Sequence, residues 1–118
     1  MHEASIAQGV IDEICRLRAE GVWRGRLVRA HLRVGKLTAV VPDYLAFCFG
    51  AMVEGSELAG VALTWEDVPV RGRCLDCGET SEFTTVGFLC MTCGSPQVEI
   101  TQGRELLIDS LEVDEDVP

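Results

Sequence analysis

The chain has 118 residues, 47% of them hydrophobic and 25% charged, with a formal net charge of −9. That length and composition describe one folded domain with room for a small insert, and they exclude a disordered chain. A chain this acidic is repelled by phosphate backbones, and no basic run interrupts it, which excludes nucleic-acid binding.

In chain order, residues 5–20 read as an amphipathic helix. Ile6, Val10, Ile14 and Leu17 form one stripe, with Ala7 and Ile11 beside it and Gly21 as the terminator. Residues 26–35 then alternate: Val28, Ala30, Leu32 and Val34 face one way, Arg29, His31 and Arg33 the other. A second helix starts near Pro42 or Asp43, since proline suits the first helical turn, and stops near Gly55. A second strand covers 61–68 and ends at Pro69, and a last strand covers about 105–113. Between them, residues 74–93 follow neither periodicity and carry glycine and threonine. The tail after Val113 is acidic and is expected to fray.

The expected fold is therefore α/β: two helices packed on a small three-stranded sheet, with an inserted zinc-ribbon-like module. Residues 1–69 plus 104–118 would form the α/β domain, and residues 70–103 the metal-binding module.

The insert holds the strongest chemical signal. Cys74-Leu75-Asp76-Cys77 and Cys90-Met91-Thr92-Cys93 are each followed by glycine and are twelve residues apart. Two such turns present four thiolates to one tetrahedral ion, as structural zinc sites do. Iron in a rubredoxin-like site is the competing reading, because paired Cys-x-x-Cys-Gly turns also suit tetrahedral iron; visible absorption bands would reveal it. A thioredoxin-like redox role fits less well, since neither pair ends a strand that opens a helix. Four thiolates around zinc add roughly −2 relative to neutral cysteines, and Arg71 and Arg73 stand just before the first pair to offset that charge. The two remaining cysteines, Cys15 and Cys48, lie among apolar residues and read as buried small hydrophobes.

The chain opens Met1-His2-Glu3. Histidine at position two is too large to favour removal of the initiator methionine, so an α-amine, a backbone nitrogen and an imidazole fall within one short chelate. Nitrogen-rich, near-planar donors suit nickel(II) or copper(II). Taken alone, the pattern is a weak signal that more often marks a solvated terminal histidine, and Glu3 reads equally as a favourable charge at a helix N-terminus. His31, flanked by Arg29 and Arg33, reads as an exposed or partner-facing residue.

No phosphate-binding loop is present, since Gly35-Lys36 is followed by leucine, and the Ser, His and Asp residues form no nucleophilic constellation. The chain is not expected to be an enzyme. Polar His2, Glu3 and Gln8 break any signal-peptide pattern, and the most apolar stretch, 39–49, contains Pro42 and Asp43 and is too short to cross a bilayer. A cytoplasmic protein without membrane association is expected, and in that compartment paired cysteines bind metal more often than they form disulfides.

The combination of Met1-His2-Glu3, Ser5, a first helix and a late cysteine quartet resembles the HypA/HybF family of hydrogenase nickel-incorporation proteins. The likeness covers nearly the whole chain, through Val34-Gly35-Lys36-Leu37, Val41-Pro42, Phe47-Cys48-Phe49, Ala62-Leu63, Gly103-Arg104-Glu105-Leu106 and Leu111-Glu112-Val113. The second cysteine turn lacks the proline often found there in relatives, which leaves the ligands untouched. The resemblance implies a nickel metallochaperone with His2 as principal nickel ligand, helped by the Met1 amine, and with Glu3 supporting or completing the site. It implies structural Zn(II) on Cys74, Cys77, Cys90 and Cys93, with Ni(II) as transferred cargo. It also implies a HypB-type GTPase accessory protein as partner and the large subunit of NiFe hydrogenase as recipient. The alternative is a zinc-ribbon protein-interaction module without a nickel role.

Overall fold

The structure is a computed structural model, and it describes residues 3–83 and 88–114. Its elements are α1 (Glu3–Ala19), β1 (Arg26–Gly35), a 3-10 turn (Lys36–Thr38), α2 (Pro42–Val53), β2 (Ala62–Val68), β3 (Val70–Cys74), β4 (Thr80–Phe83), β5 (Val98–Gln102) and β6 (Leu106–Asp114). They build two three-stranded sheets, ordered β2-β1-β6 and β4-β3-β5. Two compact units result: one of Met1–Arg33, Val40–Glu66 and Leu107–Pro118, the other of Val34–Ala39 and Asp67–Leu106. The expected α/β class with two helices and a three-stranded sheet is found. The second sheet, which frames the cysteine segment, was not anticipated.

In the first unit, α1 buries Ile6, Ala7, Val10 and Ile14, the 3.6-residue stripe read from the sequence. Its outward face is charged and self-paired, with Arg16 bridging Glu13 and Glu20 one turn away on either side. The helix ends on Gly21, whose φ of 78° permits two reversed hydrogen bonds: Gly21 N–H to Arg18 O at 3.0 Å and Val22 N–H to Leu17 O at 2.9 Å. That is a Schellman stop, which caps carbonyls the helix leaves open. The chain then folds Trp23 back onto α1. Its buried indole donates to the Ile14 carbonyl at 2.9 Å while the Arg18 guanidinium lies 5.3 Å from the ring centre.

Helix α2 begins on Pro42, which has no N–H to leave unsatisfied, and buries Leu45, Phe49 and Val53 at four-residue spacing. It packs against α1. In β1 the expected alternation holds for Ala30, Leu32 and Val34, all buried, but slips at its start: Leu27 is buried and Val28 only half-buried. Arg29, His31 and Arg33 of β1 each have a partner. Arg29 meets Glu112 at 2.9 Å, Arg33 lies 3.8 Å from Glu66, and His31 Nδ1 is 2.7 Å from Thr64 Oγ1. His31, expected to be exposed or partner-facing, is half-buried and tied to its neighbour strand.

In the second unit, β3 is the centre of an antiparallel sheet, with Val70 opposite Phe83 and Cys74 opposite Val98. Its inward residues are Val70, Gly72 and Cys74, and its outward Arg71 and Arg73 reach Glu82 at 3.7 Å and Glu99 at 3.5 Å. Phe83 and Phe88 pack edge to face with ring centres 5.4 Å apart. The 3-10 turn belongs to this unit, held by Gly35 N–H to Glu105 O at 2.6 Å and Leu37 N–H to Gly103 O at 2.8 Å.

Candidate metal centre

The two cysteine turns are wired alike. In the first, Cys74 N–H donates to Glu79 O and Gly78 N–H to Cys74 O, both at 2.9 Å. In the second, Cys90 N–H donates to Ser95 O and Gly94 N–H to Cys90 O, again both at 2.9 Å. Each turn closes on a glycine with positive φ, 81° at Gly78 and 76° at Gly94, where any side chain would be strained. Within each turn, amides also point at the first sulfur. Cys77 N–H lies 3.4 Å from Cys74 Sγ, and the N–H groups of Thr92 and Cys93 each lie 3.4 Å from Cys90 Sγ. The turns are joined by Ser95 Oγ, which donates to Asp76.

This backbone brings Cys74, Cys77, Cys90 and Cys93 together, with their four sulfurs within 4.8 Å of one another. It is the one such convergence of histidine, cysteine and carboxylate groups among the described residues. Cys74 Sγ is 3.6 Å from Cys93 Sγ, and Cys77 Sγ is 3.5 Å from Cys90 Sγ. Four sulfurs at the usual zinc–sulfur distance sit about 3.8 Å apart along each tetrahedral edge, so the donor set and its spacing fit a structural zinc ion. Thiolates alone complete the shell, leaving no position for a substrate.

The thiols are not equivalent. Cys74 and Cys90 are buried, whereas Cys77 and Cys93 are exposed. The amides of Cys93 and Thr92 draw Cys90 down to about 6, and that of Cys77 lowers Cys74. At Cys77 the Glu79 amide pulls downward, but desolvation and the sulfurs of Cys90, Cys74 and Cys93 outweigh it and push the thiol up to about 12. Cys93 is raised as well: the Ser95 amide lowers it, but Cys74, desolvation and Cys90 prevail. Each turn therefore holds one thiol whose ionisation the main-chain amides favour and one whose ionisation burial and the neighbouring thiols oppose.

Of the residues expected at the nickel site, Glu3 lies in the first turn of α1, while Met1 and His2 lie outside the described residues. Cys15 is exposed and Cys48 half-buried, so the reading of both as buried small hydrophobes does not hold. Cys15 instead borders an open groove with Arg18, Trp23 and Glu57. Trp23, which links the end of α1 to the following strand, carried no sequence signal beyond being a lone indole between glycines.

A sequence profile of the HypA family, described as hydrogenase/urease nickel incorporation, metallochaperone, matches residues 1–113. The hydrogenase maturation factor HypA of Desulfosudis oleivorans is 41% identical over 115 residues, covering 98% of this chain and all 100% of that protein. Its counterpart in Desulfitobacterium hafniense is 42% identical over 118 residues, covering 98% of this chain and 100% of the relative. The solution structure of the Ni metallochaperone HypA from Helicobacter pylori superposes with a TM-score of 0.67 at 27% identity, covering 96% of this chain and 97% of that one. A second HypA solution structure gives 0.69 at 26% identity, with 98% of each chain covered. The chain belongs to the HypA family of hydrogenase/urease nickel-incorporation metallochaperones.

Proposed function

We propose that this chain binds Ni(II) through His2, with the Met1 α-amine and Glu3 as further groups, and hands it to the large subunit of NiFe hydrogenase. A HypB-type GTPase acts beside it, supplying the nucleotide hydrolysis for which this sequence has no phosphate loop. Cys74, Cys77, Cys90 and Cys93 hold structural zinc, which ties residues 70–103 into a module separate from the nickel-binding residues 1–69 plus 104–118. The protein is a carrier, not a catalyst, and works in the cytoplasm. Among the described residues no helix is long and apolar enough to cross a membrane.

The observation that carries this reading is the match to the HypA family over residues 1–113, a span that opens with Met1-His2-Glu3. A chelate at a chain end suits delivery, because a receiving protein can displace its donors one at a time. Amine and imidazole both titrate within a unit or two of neutrality, so loading is reversible at modest proton cost.

Nickel titration of untagged wild type and of His2→Ala, with zinc measured on both, tests the proposal. Loss of specific nickel binding at constant zinc content is expected. Full nickel stoichiometry in His2→Ala would remove the nickel role from this terminus and favour a zinc-ribbon interaction module. Residues added before Met1 should also weaken nickel binding, by blocking the free amine.

A further inference from the structure

The two cysteine turns correspond residue for residue: Cys74-Leu75-Asp76-Cys77-Gly78-Glu79 in the first, Cys90-Met91-Thr92-Cys93-Gly94-Ser95 in the second. Matched main-chain bonds, Cys74 N–H to Glu79 O and Cys90 N–H to Ser95 O, extend the likeness to the backbone. The sulfurs follow it too. Exchanging one turn for the other converts the Cys74–Cys93 pair, 3.6 Å apart, into the Cys90–Cys77 pair, 3.5 Å apart. Each side chain on one turn therefore has a counterpart on the other.

One bond breaks that symmetry. Ser95 Oγ donates to the Asp76 carboxylate, from the second turn to the first. The counterpart pair is Glu79 and Thr92. Both are exposed, and neither side chain is hydrogen-bonded among the described residues.

Ser95 is held so that its hydroxyl has one direction left to donate. Its oxygen accepts Gln97 N–H at 3.1 Å, and a hydroxyl carries a single hydrogen, which goes to Asp76. The Ser95 carbonyl meanwhile holds Cys90 N–H at 2.9 Å, and its amide faces the Cys93 sulfur. One half-buried residue thus touches both ligands of the second turn and reaches across to the first. A main-chain bond, Leu75 N–H to Gln97 O at 2.8 Å, ties the first turn to the same short segment. We infer that Ser95 and Asp76 are positioning residues for the zinc site: their bond holds the second cysteine turn against the first and thereby slows loss of the ion. This role rests on the reading of the four thiols as a structural zinc site. A hydroxyl donating to a carboxylate makes about twice as strong a bond as one between neutral groups. Groups that orient metal ligands from outside the coordination shell change metal affinity by about ten- to a hundredfold.

The test follows zinc passing from the full-length, zinc-loaded protein to a chromogenic chelator at one fixed pH. Ser95→Ala and Asp76→Ala each release zinc about tenfold faster than wild type, the lower end of such effects. The double variant is no faster than either alone, since both substitutions remove the same bond. Ser95→Thr keeps the hydroxyl and restores the wild-type rate. Glu79→Ser with Thr92→Asp sets the same donor and carboxylate on the counterpart positions at unchanged net charge, and slows release. Cobalt(II) in place of zinc shows the absorption of four thiolates in every variant, which tells loss of the bond from loss of a ligand. Wild type that holds no zinc would overturn the zinc reading and the positioning role with it. With zinc bound in wild type, four outcomes would each overturn the positioning role alone. They are unchanged release from Ser95→Ala and Asp76→Ala, additive effects in the double variant, no rescue by Ser95→Thr, and a thiolate missing from the cobalt spectrum of Ser95→Ala.

Discussion

Gly35 and Gly103 pass so closely that a Cβ on Gly35 would stand 2.1 Å from the Gly103 carbonyl oxygen and 2.7 Å from Glu105 N. The clash is with backbone, which cannot swing aside as a side-chain tip can. The same crossing carries Gly35 N–H to Glu105 O and Leu37 N–H to Gly103 O, so any displacement also strains two hydrogen bonds.

Gly35→Ala should therefore destabilise the fold by about 1–3 kcal/mol, the usual range for overpacking a tight site. Urea denaturation checks this. A midpoint within error of wild type would mean that the two segments separate freely.

Zinc removal should act locally. Among its described residues the Cys74–Cys93 segment has few buried apolar side chains, so its two turns depend on the cross-link between them. Chelation is expected to speed hydrogen exchange at the amides of Cys74, Gly78, Cys90 and Gly94, whose turns stay formed in the ground state but then open transiently, while the amides of α1 keep their protection. Equal loss of protection in both places would show that the fold depends on the ion as a whole.

Zinc binding should release fewer than four protons at neutral pH. Cys90, at about 6, is already largely thiolate at pH 7, so release falls to about three or fewer and rises toward four below pH 6. The sign for the metal-free fold follows from the same values. Cys90 lies below the ordinary thiol value of 9.0, so its contribution to stability is complete above that value and is lost as pH falls through about 6. Cys77, pushed up to about 12, behaves in the opposite sense, contributing below 9.0 and ceasing to do so as pH rises through about 12. Calorimetry in buffers of different ionisation enthalpy counts the protons; four released at pH 7, unchanged at pH 5.5, would contradict the unequal thiols.

Trp23→Phe keeps the apolar ring but deletes the donor to the Ile14 carbonyl. A loss of about 1 kcal/mol is expected, with Trp23→Ala costing about 3–5 kcal/mol through the cavity it leaves. Thermal unfolding of both variants separates the hydrogen bond from the packing.

The helices and the cysteine quartet were legible because their signals are of one residue type at one spacing. Ile6, Val10 and Ile14 mark a face, Pro42 marks a start, and Cys-x-x-Cys marks a turn. The second sheet was not legible, although β3 alternates strictly between buried and exposed. Its inward positions after Val70 are Gly72 and Cys74, a glycine chosen for close approach and a sulfur donor, and neither registers as a hydrophobic beat. A Cβ on Gly72 would lie 2.6 Å from the Val98 side chain, a constraint that only the folded sheet reveals. The slip at Leu27 has the same origin: tertiary contacts, not alternation, choose which residue turns inward there.

The matched wiring of the two cysteine turns separates two tasks along the same few residues. Amides and carbonyls of the main chain aim the sulfurs, Leu75 N–H among them through its bond to Gln97 O, while the side chains of Leu75 and Met91, both exposed, take no part in that aiming. A surface can therefore be rewritten at those two positions, from apolar to charged, without re-tuning the coordination geometry beneath it. Such a module can change whom it greets while keeping the same grip on its ion.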